Sequence, residues 1–340
     1  MIFESLPPAP SAASLLDQAF SRAARAGRAK SGVEAQDSML LTASNVLSDN
    51  LENVVSGWPD LGAVHPFYRE LAAATMADIE PDAGGLDALR GHLSEVGWAA
   101  RKTEELGREY QGRLRGTDPE TARKLRKQGF ARMADVVEEV ADDLGVLGDA
   151  AAALSDLPDI RPGEPTIVVA GSPNVGKSAF VNAVTRADNE VASYPFTTTG
   201  IHVGHVERDR VRYQLVDTPG LLDRPPEERN EVERRAASAL EHVADAVLVL
   251  VDASETCGYP LADQLELRDH LVAEFPAPVL TACNKADLST AVEADHYMSV
   301  TADAEVAGKR SADARRLVEP VEDVLSAAVE AIGHEPELPR

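Results

Sequence analysis

The sequence predicts an α + α/β protein, an N-terminal helical bundle followed by a mostly parallel doubly wound sheet. Three observations carry this expectation. Residues 1 to about 157 are rich in Ala, Leu, Glu and Arg, with apolar positions recurring three and four apart, the helical period. The Pro-rich segment "LPDIRPGEP" at 157–165 then interrupts the pattern. Beyond it, β-branched runs alternate with helical segments, as in a parallel sheet with helices on both faces. The expected division is a helical domain over 1–160 and an α/β domain over 161–335.

In the first half, "SLLDQAFSRAARAGRA" (14–29), "LSEVGWAARKTEELGREYQGRLR" (93–115) and the long stretch 119–157 read as helix. Asp118 is placed as a cap with Pro119 at the first helical position, where a missing N–H costs nothing. The loops "SGWPDLG" and "IEPDAGGLD" punctuate the bundle. In the second half, strands are expected at 166–171, 201–207, 211–217, 246–252, 278–284 and 296–300, with a last helix over roughly 311–332.

Composition narrows the class. The 340 residues are 44% hydrophobic and 4% aromatic, enough apolar content for a sizeable core and two domains. "MIFESLPPAP" lacks a basic start before an apolar run, so it does not read as a secretory signal. "AVLVLV" at 246–251 is too short to span a bilayer. Cys257 and Cys283 alone imply no disulfide framework, and a cytoplasmic protein with no membrane partner is expected. The formal charge is −24, yet Lys occurs only at 30, 102, 124, 127, 177, 285 and 309. Surplus carboxylate with scarce lysine resembles the halophilic proteins of salt-in organisms, so global charge says little about partners. Locally, 101–132 holds ten basic residues against five acids, and Arg22, Arg25, Arg28 and Lys30 form a second run. These are candidate phosphate-contacting surfaces; the plainer alternative is helix faces balanced by neighbouring acids.

The chemistry lies in the second half. "GSPNVGKS", Gly171, Ser172, Pro173, Asn174, Val175, Gly176, Lys177 and Ser178, fits G-x-x-x-x-G-K-[ST] between a buried strand and a helix. In such a P-loop, backbone N–H groups turn inward around phosphates, Lys177 reaches the β- and γ-phosphates and Ser178 ligates magnesium. "LVDTPG" ends another apolar strand and places Asp217 for the metal through water, with Thr218, Pro219 and the Gly220 amide at the γ-phosphate. "NKAD" at 284–287 follows a third strand. There the Asp287 carboxylate can accept from the guanine N1–H and exocyclic amine, Asn284 can bridge to the phosphate loop, and the Lys285 stem can lie over the purine. Adenine cannot reproduce that pairing, which disfavours an ATPase.

"YPFTTTG" supplies Phe196 and a switch threonine from among Thr197, Thr198 and Thr199, with Thr198 favoured for the metal. Ser299 and Val300, in "SVT", are a weaker candidate contact to the base, with an ordinary strand end as the alternative. His202 and His205 lack metal-ligand partners in the pattern, and Trp58 and Trp98 read as packing residues. After Gly220 stand Leu221 and Leu222, where Ras-like enzymes offer a water-orienting glutamine.

These motifs, with "YPFTTTGIHVGHV", "VDTPGLLDRPPEERNEVERRAASALEHVADAVLVLVDASETCG" and "QLEL", resemble the Obg-type GTPases, and within them an archaeal form of the nucleolar GTP-binding protein (Nog) family. "HPFYREL" (65–71) and "GFARMADVVEEVADDLGVLGDAAAALSDLPDI" (129–160) look like that family's helical domain. The resemblance covers roughly residues 1–310. It implies a P-loop GTPase domain that binds GTP/GDP with Mg2+, and a factor in large ribosomal subunit assembly whose helical domain meets ribosomal RNA or assembly intermediates, with no DNA partner. It also points to Asn174 as a ligand for K+ beside the phosphates, where the cation supplies the charge that hydrolysis needs when the glutamine is missing. Slow, potassium-stimulated GTP hydrolysis is expected, with Lys177, Asn174, Thr198 and Gly220 as the catalytic set. A nucleotide-dependent binding module with negligible turnover and a GTPase of translation or tRNA processing remain the alternatives.

Overall fold

A computed structural model describes all residues except 1, 82–83, 158, 186–189, 193–200, 219, 225, 301–306, 310, 312–315 and 334–340. The chain divides into two compact units, one of 2–63 and 75–155, the other of 64–74 and 156–340.

The first unit is helical. It contains α1 (Ala12–Arg28), α2 (Gly32–Ser56), the end of α3 (Pro66–Ile79), α4 (Leu86–Leu114), α5 (Pro119–Glu139) and α6 (Ala141–Ser155). The two longest helices, α2 and α4, pack closely because Gly107 lets Ser44 approach. A Cβ at Gly107 would lie 2.1 Å from Ser44 Oγ, which donates to the Thr103 carbonyl at 3.1 Å. Asp118 caps α5 by accepting from Glu120 N and Thr121 N, with Pro119 in the first turn. The stretch 119–157 is not one helix: the backbone departs from helical geometry at Val140 (φ −101°, ψ 19°), and a new helix starts at Ala141.

The second unit is a seven-stranded sheet in the order β2-β3-β4-β1-β5-β6-β7. Its strands are β1 (Thr166–Ala170), β2 (Glu190–Ala192), β3 (Ile201–Arg208), β4 (Val211–Asp217), β5 (Ala246–Asp252), β6 (Val279–Asn284) and β7 (His296–Tyr297). The pairs from β4 through β7 are parallel, while β2–β3 and β3–β4 are antiparallel. The helices are α7 (Lys177–Val184), α8 (Glu231–Glu241), α9 (Leu261–Glu274) and α10 (Val321–Ile332). Phe180, Val181 and Val184 of α7 and Val324, Leu325 and Ala328 of α10 cover the sheet face formed by Ile167, Val169, Leu215, Leu248 and Leu250. Residues of the other parity, Val168, Val247, Val249 and Val251, are equally buried, so both faces are covered. Within this unit Tyr68 is buried, and its hydroxyl donates to the Ile160 carbonyl at 2.6 Å.

Two expectations are corrected. The last helix begins at Val321 rather than near 311, because Pro320 is extended (ψ 144°) at its N-cap and cannot sit inside a helix. The strand expected over 296–300 is only His296–Tyr297, since Met298 pairs with Glu319 as an isolated bridge and Val300 N already turns to Asn284. The short β2 carries no periodic signal in three residues.

Candidate functional site

Parallel strands end on one edge of the sheet, and the loops leaving β1, β4, β5 and β6 form the site there, as open α/β sheets dictate. The glycines explain the tight turn after β1. Gly171 has φ 134°, and a Cβ on it would meet the Leu250 carbonyl at 2.4 Å. Gly176 has φ 107°, and a Cβ there would lie 2.3 Å from Asn284 Nδ2. Only glycine fits either position. Asn174 also adopts a left-handed backbone (φ 62°), the conformation that asparagine tolerates best after glycine.

Lys177 opens α7 and is 6% exposed, with Nζ donating to the Gly171 and Ser172 carbonyls at 2.7 and 3.1 Å. Burial pushes its pKa down, and the charges of Asp223 and Asp217 only partly oppose this. A polyphosphate beside this buried ammonium would remove that penalty. Ser178 Oγ donates to Asp217 Oδ2 at 2.5 Å. Asp217 is fully buried, its pKa is raised by burial, and its Oδ1 has no hydrogen-bond partner among the described residues. A hydroxyl, a carboxylate and an orphaned acceptor oxygen form a hard-oxygen set that fits Mg2+.

After β4, Thr218 Oγ1 donates to the Val169 carbonyl at 3.0 Å, tying the turn to β1. Gly220 has φ 78°, and its N–H donates to Asp223 Oδ2 at 3.1 Å. Leu221 and Leu222 are core residues, 1% and 0% exposed. Farther on, Asn230 and Glu233 cap α8 reciprocally: Glu233 N donates to Asn230 Oδ1 and Asn230 N to Glu233 Oε2, each at 2.8 Å. Arg229, 2% exposed, holds this segment to Glu274 of α9 at 2.6 Å.

At the end of β6, the buried Asn284 joins two loops. Its Nδ2 donates to the Val175 carbonyl at 2.7 Å, and its Oδ1 accepts from Val300 N at 3.0 Å. The Ser299 hydroxyl donates to Asp287 Oδ1, so Ser299, Val300 and Asp287 lie at one place. Lys285, with φ 54°, directs Nζ to Asp252 Oδ2 at 2.8 Å and to Thr256 Oγ1 at 3.0 Å.

Asp252 is a hub that motif reading missed. It is fully buried and accepts from Lys285, Ser254, Thr256 and the Cys257 N–H. Burial alone would raise its pKa, but these donors outweigh burial and bring it to about 2. The available signal was an Asp ending an apolar strand before Ser-x-Thr. The same loop reaches the phosphate loop, where Asn174 Nδ2 donates to the Cys257 carbonyl at 3.4 Å and orients the amide. Asp223 was likewise missed.

The structure therefore brings together Gly171–Ser178, Asp217, Thr218, Gly220, Asn284, Lys285, Asp287, Ser299 and Val300. Phe196, Thr197, Thr198 and Pro219 lie outside the described residues. In the helical unit, several cations of 101–132 pair locally: Lys102–Glu105, Arg108–Glu104, Arg113–Glu109 and Lys124–Glu120. Arg115, Arg123, Lys127 and Arg132 are exposed without an ion-pair partner among the described residues.

A glycine-rich phosphate loop at the head of a parallel sheet, with the DTPG and NKAD segments at neighbouring strand ends, defines the class of P-loop GTPases. Residues 166–285 match a family model described as a 50S ribosome-binding GTPase, and residues 3–161 match one described as the NOG1 N-terminal helical domain. The chain belongs to the nucleolar GTP-binding protein (Nog) family. The uncharacterized protein MJ1408 of Methanocaldococcus jannaschii is 38% identical over 248 residues, covering 73% of this chain and 67% of that protein. Nucleolar GTP-binding protein 1 of Drosophila melanogaster is 37% identical over 244 residues, and that of Saccharomyces cerevisiae 32% over 248; each match covers 71% of this chain. The chain spans 36% of the length of those two proteins. Among the described residues no helix is long and apolar enough to cross a membrane.

Proposed function

We propose that this chain is a guanine-nucleotide switch and slow GTPase acting in assembly of the large ribosomal subunit, with the helical domain (1–160) docking on RNA or protein and the GTPase domain (161–335) setting the timing. The observation that carries the nucleotide reading is Asn284, whose buried amide spans the phosphate loop at Val175 and the Val300 loop beside Asp287. This links a phosphate cradle to a carboxylate suited to guanine. The Ser299 hydroxyl holds the Asp287 carboxylate in place and leaves acceptor positions on both oxygens for the guanine N1–H and amine. Lys285, steered by Asp252, lays its stem along the base.

The loop amides of 171–178 bind phosphate oxygens and Lys177 neutralises them. Ser178 and Asp217 would hold Mg2+, with Thr198 as the switch ligand; the ion supplies charge neutralisation at the phosphates. The Gly220 amide senses the γ-phosphate. With Leu221 buried, no side chain there orients the attacking water, so turnover is slow and K+ at Asn174 raises it. A potassium-rich cytoplasm suits the acidic composition. The same buried Leu221 favours a second reading, a nucleotide-dependent binding module that hardly turns over.

Calorimetry tests the base assignment: GDP should bind and ADP should not, and equal affinities would refute it. Asp287→Asn should shift preference towards xanthine nucleotides. Turnover in potassium but not sodium, lost in Asn174→Ala, separates slow GTPase from binding module. Sedimentation with large subunits in GTP-like and GDP states, at high salt, tests the docking role, because weak phosphate contacts disappear as salt rises.

A further inference from the structure

The γ-phosphate side of the site already holds an anion of its own. Gly220 N–H, the amide positioned to meet a third phosphate, donates instead to Asp223 Oδ2 at 3.1 Å. The Asp223 carboxylate is half-buried, and its charge acts on the nearby Lys177 ammonium, which is itself bonded to the Gly171 and Ser172 carbonyls. The amide that a γ-phosphate would need is thus engaged by a carboxylate of its own turn. The turn carrying it is fixed at both ends. Thr218 is bonded to the Val169 carbonyl, while Leu221 and Leu222 are buried and the Leu222 carbonyl accepts from Gly171 N at 3.4 Å. A carboxylate three residues after the glycine on such an anchored turn is held in place without freezing a long flexible side chain.

We propose that Asp223 is a specificity-determining residue that stands in for the third phosphate, occupying Gly220 N–H until GTP displaces it, so that GDP is favoured over GTP in the free protein. The proposal rests on the guanine-nucleotide reading above. The two anions compete for the same amide, and like charges brought to one donor repel. GTP therefore binds only as the Gly220–Asp223 bond opens. GDP leaves the bond intact. A ligand shifts an equilibrium only by its differential affinity for the two states, and here the third phosphate supplies the difference.

The test is calorimetric titration of the full chain with Mg2+ and either GDP or a non-hydrolysable β,γ-imido GTP analogue, for wild type, Asp223→Ala and Asp223→Asn. In Asp223→Ala, affinity for the analogue should rise about tenfold, the lower end of the range for a hydrogen bond to a charged group. GDP affinity should stay within about twofold by the same accounting. Asp223→Asn keeps an acceptor for the amide but removes the charge, so its analogue-to-GDP ratio should rise by less. The ratio within each variant is insensitive to a general loss of stability. An unchanged or lower ratio in both variants overturns the proposal while leaving the nucleotide reading intact. Absence of GDP binding in wild type would instead overturn that reading, and the proposal with it.

Discussion

Asn284→Asp is the most discriminating change available, because it alters one atom of a buried connection. Nδ2 donates to the Val175 carbonyl at 2.7 Å, and Oδ1 accepts from Val300 N at 3.0 Å. The substituted carboxyl keeps the second bond, but it can satisfy Val175 only while protonated. The native state of the variant therefore retains a proton that the unfolded state, with a carboxyl pKa near 3.9, releases. Stability falls as pH rises, because the native state binds the extra proton. At 1.36 kcal/mol per unit, the penalty is about 2 kcal/mol at pH 5.5 and about 5 kcal/mol at pH 7.5, unless the native state ionises first and sets a ceiling. Working above pH 5 also keeps clear of the sequence pI of about 4.7. Both tryptophans, Trp58 and Trp98, lie in the helical unit, so their fluorescence would miss the transition. Hydrogen exchange of β1 and β6 peptides along a urea series reads it directly. A difference from wild type that is flat between pH 5.5 and 7.5 would refute the reasoning, since it would mean that the native variant retains no extra proton across that window.

Three other outcomes follow from the same physics. His92 contacts Asp143 Oδ1 at 2.6 Å and Glu80 Oε2 at 2.8 Å; burial lowers its pKa, but the two carboxylates outweigh burial and hold it above the ordinary value. Its contribution is full below about pH 6.5 and lost as pH rises through the native pKa, so tryptophan-detected urea melts should show a fall across that window in wild type and not in His92→Gln. Arg229→Met should cost about 3 kcal/mol in hydrogen-exchange stability, the lower end of the range for breaking a buried pair because Glu274 is only half-buried, and adding Glu274→Leu should recover most of it. Leu221→Gln should not raise GTP turnover, because position 221 is a core position; it should instead destabilise the sheet unit by about 1–3 kcal/mol on calorimetric melting.

Legibility from sequence followed range of interaction. The helix start at Asp118 and Pro119, the buried runs of β1 and β5, and the three strand-end motifs are local patterns, and the chain shows them directly. The break at Val140 was hidden because Ala, Val and Glu continue the helical period on both sides of it. The start of α10 was misplaced because the helical composition of 311–319 outweighed the signal of Pro320. Asp252 escaped because its importance lies in partners at 254, 256, 257 and 285, three of them in a loop without periodicity and one in another motif. The charge run at 101–132 stays open between its two readings. Several of its cations are spent on acids three or four residues away, and a count of charges cannot separate these from Arg115, Arg123, Lys127 and Arg132.

These connections divide the site into two halves with different preparedness. On the base and inner-phosphate side, Asn284 fixes the phosphate loop to the Val300 loop, Asp252 fixes Lys285, and Asn174 is tied to the Cys257 carbonyl. Those side chains are held by the protein before any ligand arrives, so little ordering remains to oppose binding there. On the outer-phosphate side the position is reversed. Gly220 N–H is bonded to Asp223, and the side chain that follows it is buried in the core, where it cannot meet water. This asymmetry supports the proposed slow switch, in which nucleotide would bind in advance of its reaction. On that proposal, the step that completes the outer half would decide when hydrolysis occurs, whether a cation, a partner surface or displacement of Asp223 supplies it. On this argument the missing glutamine after Gly220 follows from the packing that anchors the turn: a residue recruited into the core to fix Gly220 in place is no longer available to orient water.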